Sequence, residues 1–335
     1  MKLSAFSIRI SVFLFLLFTF SSIYSQGIEL NARVYLDGAI RNSYEVGETH
    51  ARPLMRDNLR SNPHNSQRVI PDQDIYQIPY IVNSFTKVDV TNKYTHVACG
   101  TYAQYQTIPS PFSVFAVTGE NAIVDWIFVE LRDKEDYTNV LATRAGLLQR
   151  DGDIVDLDGT SALFFNNVNP DFYFVVIRHR NHLGAMTKFP VSSDDMAVLI
   201  DFTSVDTPIF DFGNSNNQFN YSGLAQKNLM VEGTEIMALW GGDFDADGVV
   251  SYISNTSDIN ILQDDVAGFD MNLNPDYRVS YSGSVGYLQS DFDMDGRSKF
   301  TAPDDDRNLV LEQVLFYSQN TETRTNFAHL VEQLP

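Results

Sequence analysis

Cysteine is nearly absent. Cys99 is the only one in 335 residues, so no intrachain disulfide can form. Within Thr95-His-Val-Ala-Cys-Gly it reads as a small core residue; a catalytic thiol would want basic neighbours, and none cluster there. Basic residues are scarce as well. Against 43 acidic residues stand 23 Lys and Arg, a net charge of −20. That balance excludes nucleic acid as a partner, because phosphates demand Lys and Arg. Long hydrophobic runs are missing beyond the first 25 residues, so no later stretch is long enough to span a bilayer. Also missing are a nucleophile elbow, a phosphate loop, a zinc motif and a dinucleotide fingerprint. Acidic residues are too numerous for any pair to be singled out as glycosidase acids, which are defined by distance in space.

What is present begins with a leader. Lys2 and Arg9 precede an apolar run from Ile10 to Phe20, and a cut after Ser25 would leave Gln26 at the new terminus. Residues 1–25 are therefore expected to be a secretory signal, with the mature chain in the extracellular space or on the cell surface and the periplasm as a further destination. Removing Lys2 and Arg9 takes the net charge from −20 to −22. The acidity suits a protein working in millimolar calcium.

The mature chain reads as mainly β. Residues 26–85 open with the alternating Ile28-Glu-Leu-Asn-Ala-Arg-Val-Tyr-Leu, turned by Asp37-Gly38. A polar, aperiodic stretch from Asn42 to Gln77 follows and reads as a long loop, with His50 and His64 as exposed loop residues. Residues 86–205 form the expected β-sandwich-like domain, with candidate strands at 87–90, 114–117, 123–131, 162–165, 172–178 and 197–202. Trp126, on the 123–131 strand, reads as core rather than as a sugar platform. Two groups there carry candidate chemistry. Asp151, Asp153, Asp156 and Asp158 would hold a third ion or form two tight turns around a short strand, the plainer account. Arg178-His179-Arg180-Asn181-His182 would bind an anion or, more simply, pair with nearby carboxylates and pin the strand end. Residues 206–236 read as a linker.

The organising feature is a stretch that occurs twice in residues 237–335. Asp243-Phe-Asp245-Ala-Asp247-Gly248 runs on to Asp258, and Asp291-Phe-Asp293-Met-Asp295-Gly296 runs on to Asp306. The copies align without a gap, 48 residues apart, and each has an Asp 15 residues after its first. Calcium takes about six to eight oxygen ligands, and acids at loop positions 1, 3 and 5, a turning Gly at 6 and a backbone carbonyl at 7 supply them. Position 7 is Val249 or Arg297. The usual position-12 Glu is replaced by Ser254 or Ala302, so Asp258 and Asp306 are the natural closing ligands. Position 9 is Ser251 or Lys299, and a Lys cannot ligate. Two Ca2+ ions are expected, on Asp243, Asp245, Asp247, Val249 and Asp258, and on Asp291, Asp293, Asp295, Arg297 and Asp306. A helical pattern follows each closing Asp: Ile259, Ile261, Leu262 and Val266, then Leu309, Val310, Leu311, Val314 and Leu315. Asp258 and Asp306 are also candidate caps.

A calcium loop followed by a helix, repeated in tandem, resembles the dockerin module, over about residues 240–320. The departure at position 12 means that binding of a cohesin partner is not carried over. A wider resemblance rests on Val124-Asp-Trp-Ile-Phe-Val-Glu-Leu-Arg-Asp133, Leu147-Leu-Gln-Arg-Asp-Gly-Asp-Ile-Val-Asp156, His179-Arg-Asn-His-Leu183, Met55-Arg-Asp-Asn-Leu59 and Ile70-Pro71. The first three occur in this order ahead of the paired loops, the last two look like the start of the same region, and the set is similar to the C-terminal region of secreted Bacteroidetes-type haemagglutinin- or adhesin-like surface proteins. The resemblance implies secretion and a calcium-bearing β architecture, and no settled activity. The leading functional expectation is a non-enzymatic secreted module that binds an extracellular protein or glycan. The alternatives are dockerin-like assembly onto a partner protein and a hydrolase acting on polysaccharide or peptide.

Overall fold

The computed structural model describes residues 27–41, 52–77, 94–97, 106–195, 199–213, 222–254, 257–269, 272, 279–301 and 305–335. The leader, the 87–90 strand, His50 and Cys99 lie outside these residues. Among the described residues the chain is mainly β, about 30% strand against 15% helix. Its centre is one curled sheet of eight strands. Along it run β10 (Ile200–Asp201), β2 (Ala32–Arg33), β5 (Asp153–Val155), β4 (Val140–Gln149), β3 (Ile123–Asp133), β7 (Phe172–His179) and β8 (His182–Met186), and β9 (Val191–Ser192) also pairs with β7. All neighbours are antiparallel except β10 and β2. A two-stranded sheet, β1 (Gly27–Leu30) with β6 (Leu163–Asn166), accompanies it.

β3 is the spine. Ten of its eleven residues are buried, so both faces of the strand are covered and polar residues on it must find partners inside. Trp126 is wholly buried, its Nε1–H donating to the Pro71 carbonyl at 3.0 Å, as a core residue should be. Glu130 takes Arg132 and Arg178 at 2.8 and 2.7 Å.

Three local expectations change. Residues 114–117 are not a strand. Pro111 fixes φ at the first turn of a short helix, α2 (Pro111–Val114), where its missing N–H costs nothing. Asp37-Gly38 is not a simple turn but opens α1 (Asp37–Arg41). Asp37 is fully buried, bonded to Arg41 one turn on, to Lys227 and to Gln313. Burial works against its charge, yet Lys227 and Arg41 hold its pKa below the usual value. In the stretch 197–202 only Ile200–Asp201 is strand among the described residues.

The C-terminal third packs directly on the sheet. After the hairpin of β11 (Lys227–Val231) and β12 (Thr234–Ala238) come the two loops, each followed by a helix, α3 (Asp258–Ala267) and α4 (Asp306–Phe316). Ile236, Ala238, Leu239, Tyr287 and Met294 belong to the same buried cluster as Trp126 and Phe128. Packing is therefore continuous across the expected boundary at 236. No helix among the described residues is long and apolar enough to cross a membrane.

The Arg178–His182 group makes this junction. Arg178 pairs with Glu130 and with Glu332, at 2.7 and 2.6 Å. Arg180 is wholly buried. Its Nε meets Asp125 at 2.9 Å, its Nη1 donates to the Leu288 carbonyl at 2.6 Å, and its guanidinium lies 4.4 Å from the Tyr287 ring centre. Asn181 Nδ2 donates to the Gln289 and Asp291 carbonyls, both at 3.0 Å. These side chains pin the strand end to the second loop; the anion-site reading loses its cations to internal partners. Burial tends to raise the pKa of Asp125, but Arg180, and then His179, hold it below the usual value. Arg180→Ala leaves Asp125 buried without its strongest partner, so a loss of about 3–5 kcal/mol in denaturant unfolding is expected. A loss below about 1 kcal/mol, as for an exposed pair, would contradict this role.

Candidate metal centres

Each loop folds around its first and last aspartates. Asp243 accepts from the Gly248 N–H at 3.2–3.3 Å, and Asp291 from the Gly296 N–H at 2.8 Å. Positions 4 and 6 turn left-handed in both copies: Ala246 and Met294 at φ 57° and 59°, Gly248 and Gly296 at φ 85° and 84°. Gly is suited to that region, and an L residue pays about 1–2 kcal/mol to enter it. The same strained choice at position 4 in both copies marks one shared loop conformation.

The closing aspartates do the same work twice. Asp258 Oδ1 accepts from Phe244 N–H at 2.6 Å and its Oδ2 from Ser251 N–H at 2.7 Å. Asp306 Oδ1 accepts from Phe292 N–H at 2.8 Å and its Oδ2 from Lys299 N–H at 2.6 Å. One carboxylate thus ties loop positions 2 and 9 together, which is why the closing acid stands at position 16. Neither is the helix cap. Asp305 caps α4 by accepting from Asn308 N–H at 2.7 Å, and Ser257 stands before α3 without a side-chain bond. The two loops touch through their position-2 rings, Phe244 and Phe292, 6.5 Å apart and nearly perpendicular.

Three carboxylates converge in each loop. Asp243, Asp245 and Asp258 offer oxygens within 4.8 Å of one another, as do Asp291, Asp293 and Asp306. These all-oxygen sets fit a hard divalent cation. Asp247 and Asp295 stand outside the two trios. Asp247 is exposed and accepts from Val249 N–H at 2.8 Å. Asp295 is buried, with one oxygen, Oδ1, lacking any hydrogen-bond partner. An orphaned buried carboxylate oxygen is the kind of atom a cation would satisfy. Val249 lies on β13 (Val249–Val250), paired with β14 (Leu330–Val331); Arg297 bridges to Val285. The four acids at 151–158 do not converge: Asp153 pairs with Arg33, Asp156 with Arg144, and Asp158 with Ser161 and Thr160 in its own turn. The two-turn account of that stretch holds.

Electrostatics follow from crowding. Burial, then Asp247 and Asp243, push Asp245 up to about 7. Burial, then Asp243 and Asp245, push Asp258 well up. Burial and the neighbouring aspartates raise Asp291 and Asp306 in the same way. Asp293 is raised by burial despite Arg56. Sequence reasoning missed the residues that reach the second loop from 52–68, because an aperiodic polar stretch carries no register by which to place it.

Comparison with protein-family models, with curated proteins and with solved structures yields no match.

With their pKa values raised, these carboxyls would bind a cation in competition with protons. Calcium binding near pH 7 is expected to release protons, and apparent affinity should fall as pH drops through about 7. Titration calorimetry in two buffers of different ionisation heat measures the release. The stability signs oppose each other. Without metal, raised carboxyl pKa values make the fold less stable as pH rises from the ordinary 3.8 to the raised values. His179 and His182, held neutral by burial, make it more stable as pH rises towards 6.5. The histidine contribution is common to both forms, so the calcium-induced rise in Tm should grow with pH between about 5 and 8.

Proposed function

We propose that the protein is a secreted, calcium-binding, non-enzymatic β-rich module that binds an extracellular protein or glycan. The observation that carries the reading is the duplicated closure, in which Asp258 and Asp306 each join positions 2 and 9 of a loop already holding two converging aspartates. Such repetition is costly without a ligand, since each loop crowds like charges where water is limited. Calcium suits it better than magnesium, which prefers rigid octahedral sites and keeps its waters. Secretion rests on the leader, and the adhesin-like assignment on the ordered motifs from Met55 to Leu183.

The resemblance to a tandem dockerin-like module gives a second reading, assembly onto a partner protein. It is favoured by Phe316 at the end of α4, which is 77% exposed, next to half-buried Leu309, Leu311 and Leu315. The β-sandwich-like reading of 86–205 belongs with the same adhesin-like family.

Calorimetric titration of the mature chain after chelation tests the function. Two calcium ions per chain are expected. Asp306→Ala should abolish the second site and Asp258→Ala the first. No binding at millimolar calcium would sink the reading.

A further inference from the structure

The two loops share a backbone path but differ in their surroundings. In the first, Asp247 is exposed and Asp245 half-buried. A side-chain carbon built at Gly248 would meet only Glu332, at 3.7 Å. Among the described residues no Lys or Arg pairs with Asp245, Asp247 or Asp258. Asp243 and Asp258 are buried, so this loop opens to water on its Asp245–Asp247 side.

The second loop is shut on both sides. Asp291, Asp293, Asp295 and Asp306 are all buried. Arg180 and Asn181 hold one side. The other side is covered by the segment 52–68, distant in sequence. From it Arg56 Nη1 reaches Asp293 Oδ2 at 2.9 Å, and Asn62 Nδ2 donates to the Gly296 carbonyl at 2.8 Å. The approach is so close that a side-chain carbon on Gly296 would fall 2.2 Å from Asn62. His64 Nε2 stands 3.5 Å from Asp295 Oδ2, and Lys299 Nζ 3.6 Å from the same oxygen. The segment is no loose flap, because Met55 and Leu59 are sunk in the main core. With Oδ2 so engaged, Asp295 Oδ1 is left buried and unpartnered. Arg56 and Lys299 offset two of the four aspartate charges, which leaves the charge that one divalent cation would cancel. A neutral cluster is what a protein interior tolerates.

Granting that both loops bind calcium, we propose that the second holds its ion as a locked, slowly exchanging structural ion beneath Arg56, Asn62 and His64, while the first exchanges its ion freely with solvent. For the second ion to leave, the Asn62–Gly296 bond must break and a segment rooted in the core must lift. In the first loop the equivalent Gly248 carbonyl takes the Glu332 N–H at 2.8 Å, but Asp245 is half-buried and Asp247 exposed, so no segment has to lift from them. The first loop is then the one that responds to external calcium, and the second is part of the fold.

Stopped-flow mixing of the calcium-saturated full chain with excess fluorescent chelator tests this. Two phases are expected, each one ion per chain. The slow rate should lie about tenfold or more below the fast, as breaking the charge-assisted Arg56–Asp293 bond when the segment lifts would give. Asn62→Ala and His64→Ala should accelerate only the slow phase, and Asp245→Asn should remove only the fast one. His64→Ala alters a part-exposed side chain and serves if Asn62→Ala does not fold. Release of both ions in one phase, or loss of the slow phase in Asp245→Asn, overturns the lock while calcium binding stands. A chain that holds no calcium at equilibrium overturns the reading of the loops, and the lock with it.

Discussion

Like charge packed into a small volume is the constraint on which the C-terminal third depends. Two trios of aspartates sit with oxygens within 4.8 Å of one another, in surroundings that push several of them towards the protonated state. Hydrogen bonds from backbone N–H groups soften the repulsion. Asp258 and Asp306 each accept two, and Asp243 and Asp291 also receive them. Neutral donors do not cancel net charge. A divalent cation does, and it would turn the most unfavourable feature of the loops into the one that fixes them.

The same logic connects the loops to the sheet. A buried loop needs buried partners, and β7 and β8 supply them at their shared turn. Arg180 and Asn181 bond the Leu288, Gln289 and Asp291 carbonyls, while Asp125 on β3 balances Arg180 and takes the Tyr287 hydroxyl at 2.6 Å. The link extends to α3 through Ser290, whose hydroxyl donates to Asp265 at 2.6 Å. Ring packing of Phe244 on Phe292 then joins the two loops. The candidate metal centres and the β core are thus joined by the same side chains.

What could be read in the sequence was local. The duplicated loops announce themselves because their ligands lie within one short segment, so spacing alone carries the geometry. The helices after Asp258 and Asp306 and the long strands at 123–133 and 172–179 follow from periodicity. The fate of Arg180 was not legible in detail, since its partners Asp125 and Leu288 stand 55 and 108 residues away. Nor was the cover of the second loop, because Arg56 and Asn62 meet residues more than 230 positions on. Residues 114–117 misled through their apolar character, and Pro111 decided for a helical turn ending at Val114. Periodicity also could not tell that β3 is buried on both faces.

The most direct measurement is anomalous diffraction from crystals of the mature chain grown in millimolar calcium. Peaks are expected about 2.3–2.6 Å from carboxylate oxygens of Asp243, Asp245 and Asp258, and of Asp291, Asp293 and Asp306. Bare carboxylate clusters under those conditions, with the loops otherwise unchanged, would contradict the account, because the crowded charge would then be borne by protons and hydrogen bonds alone.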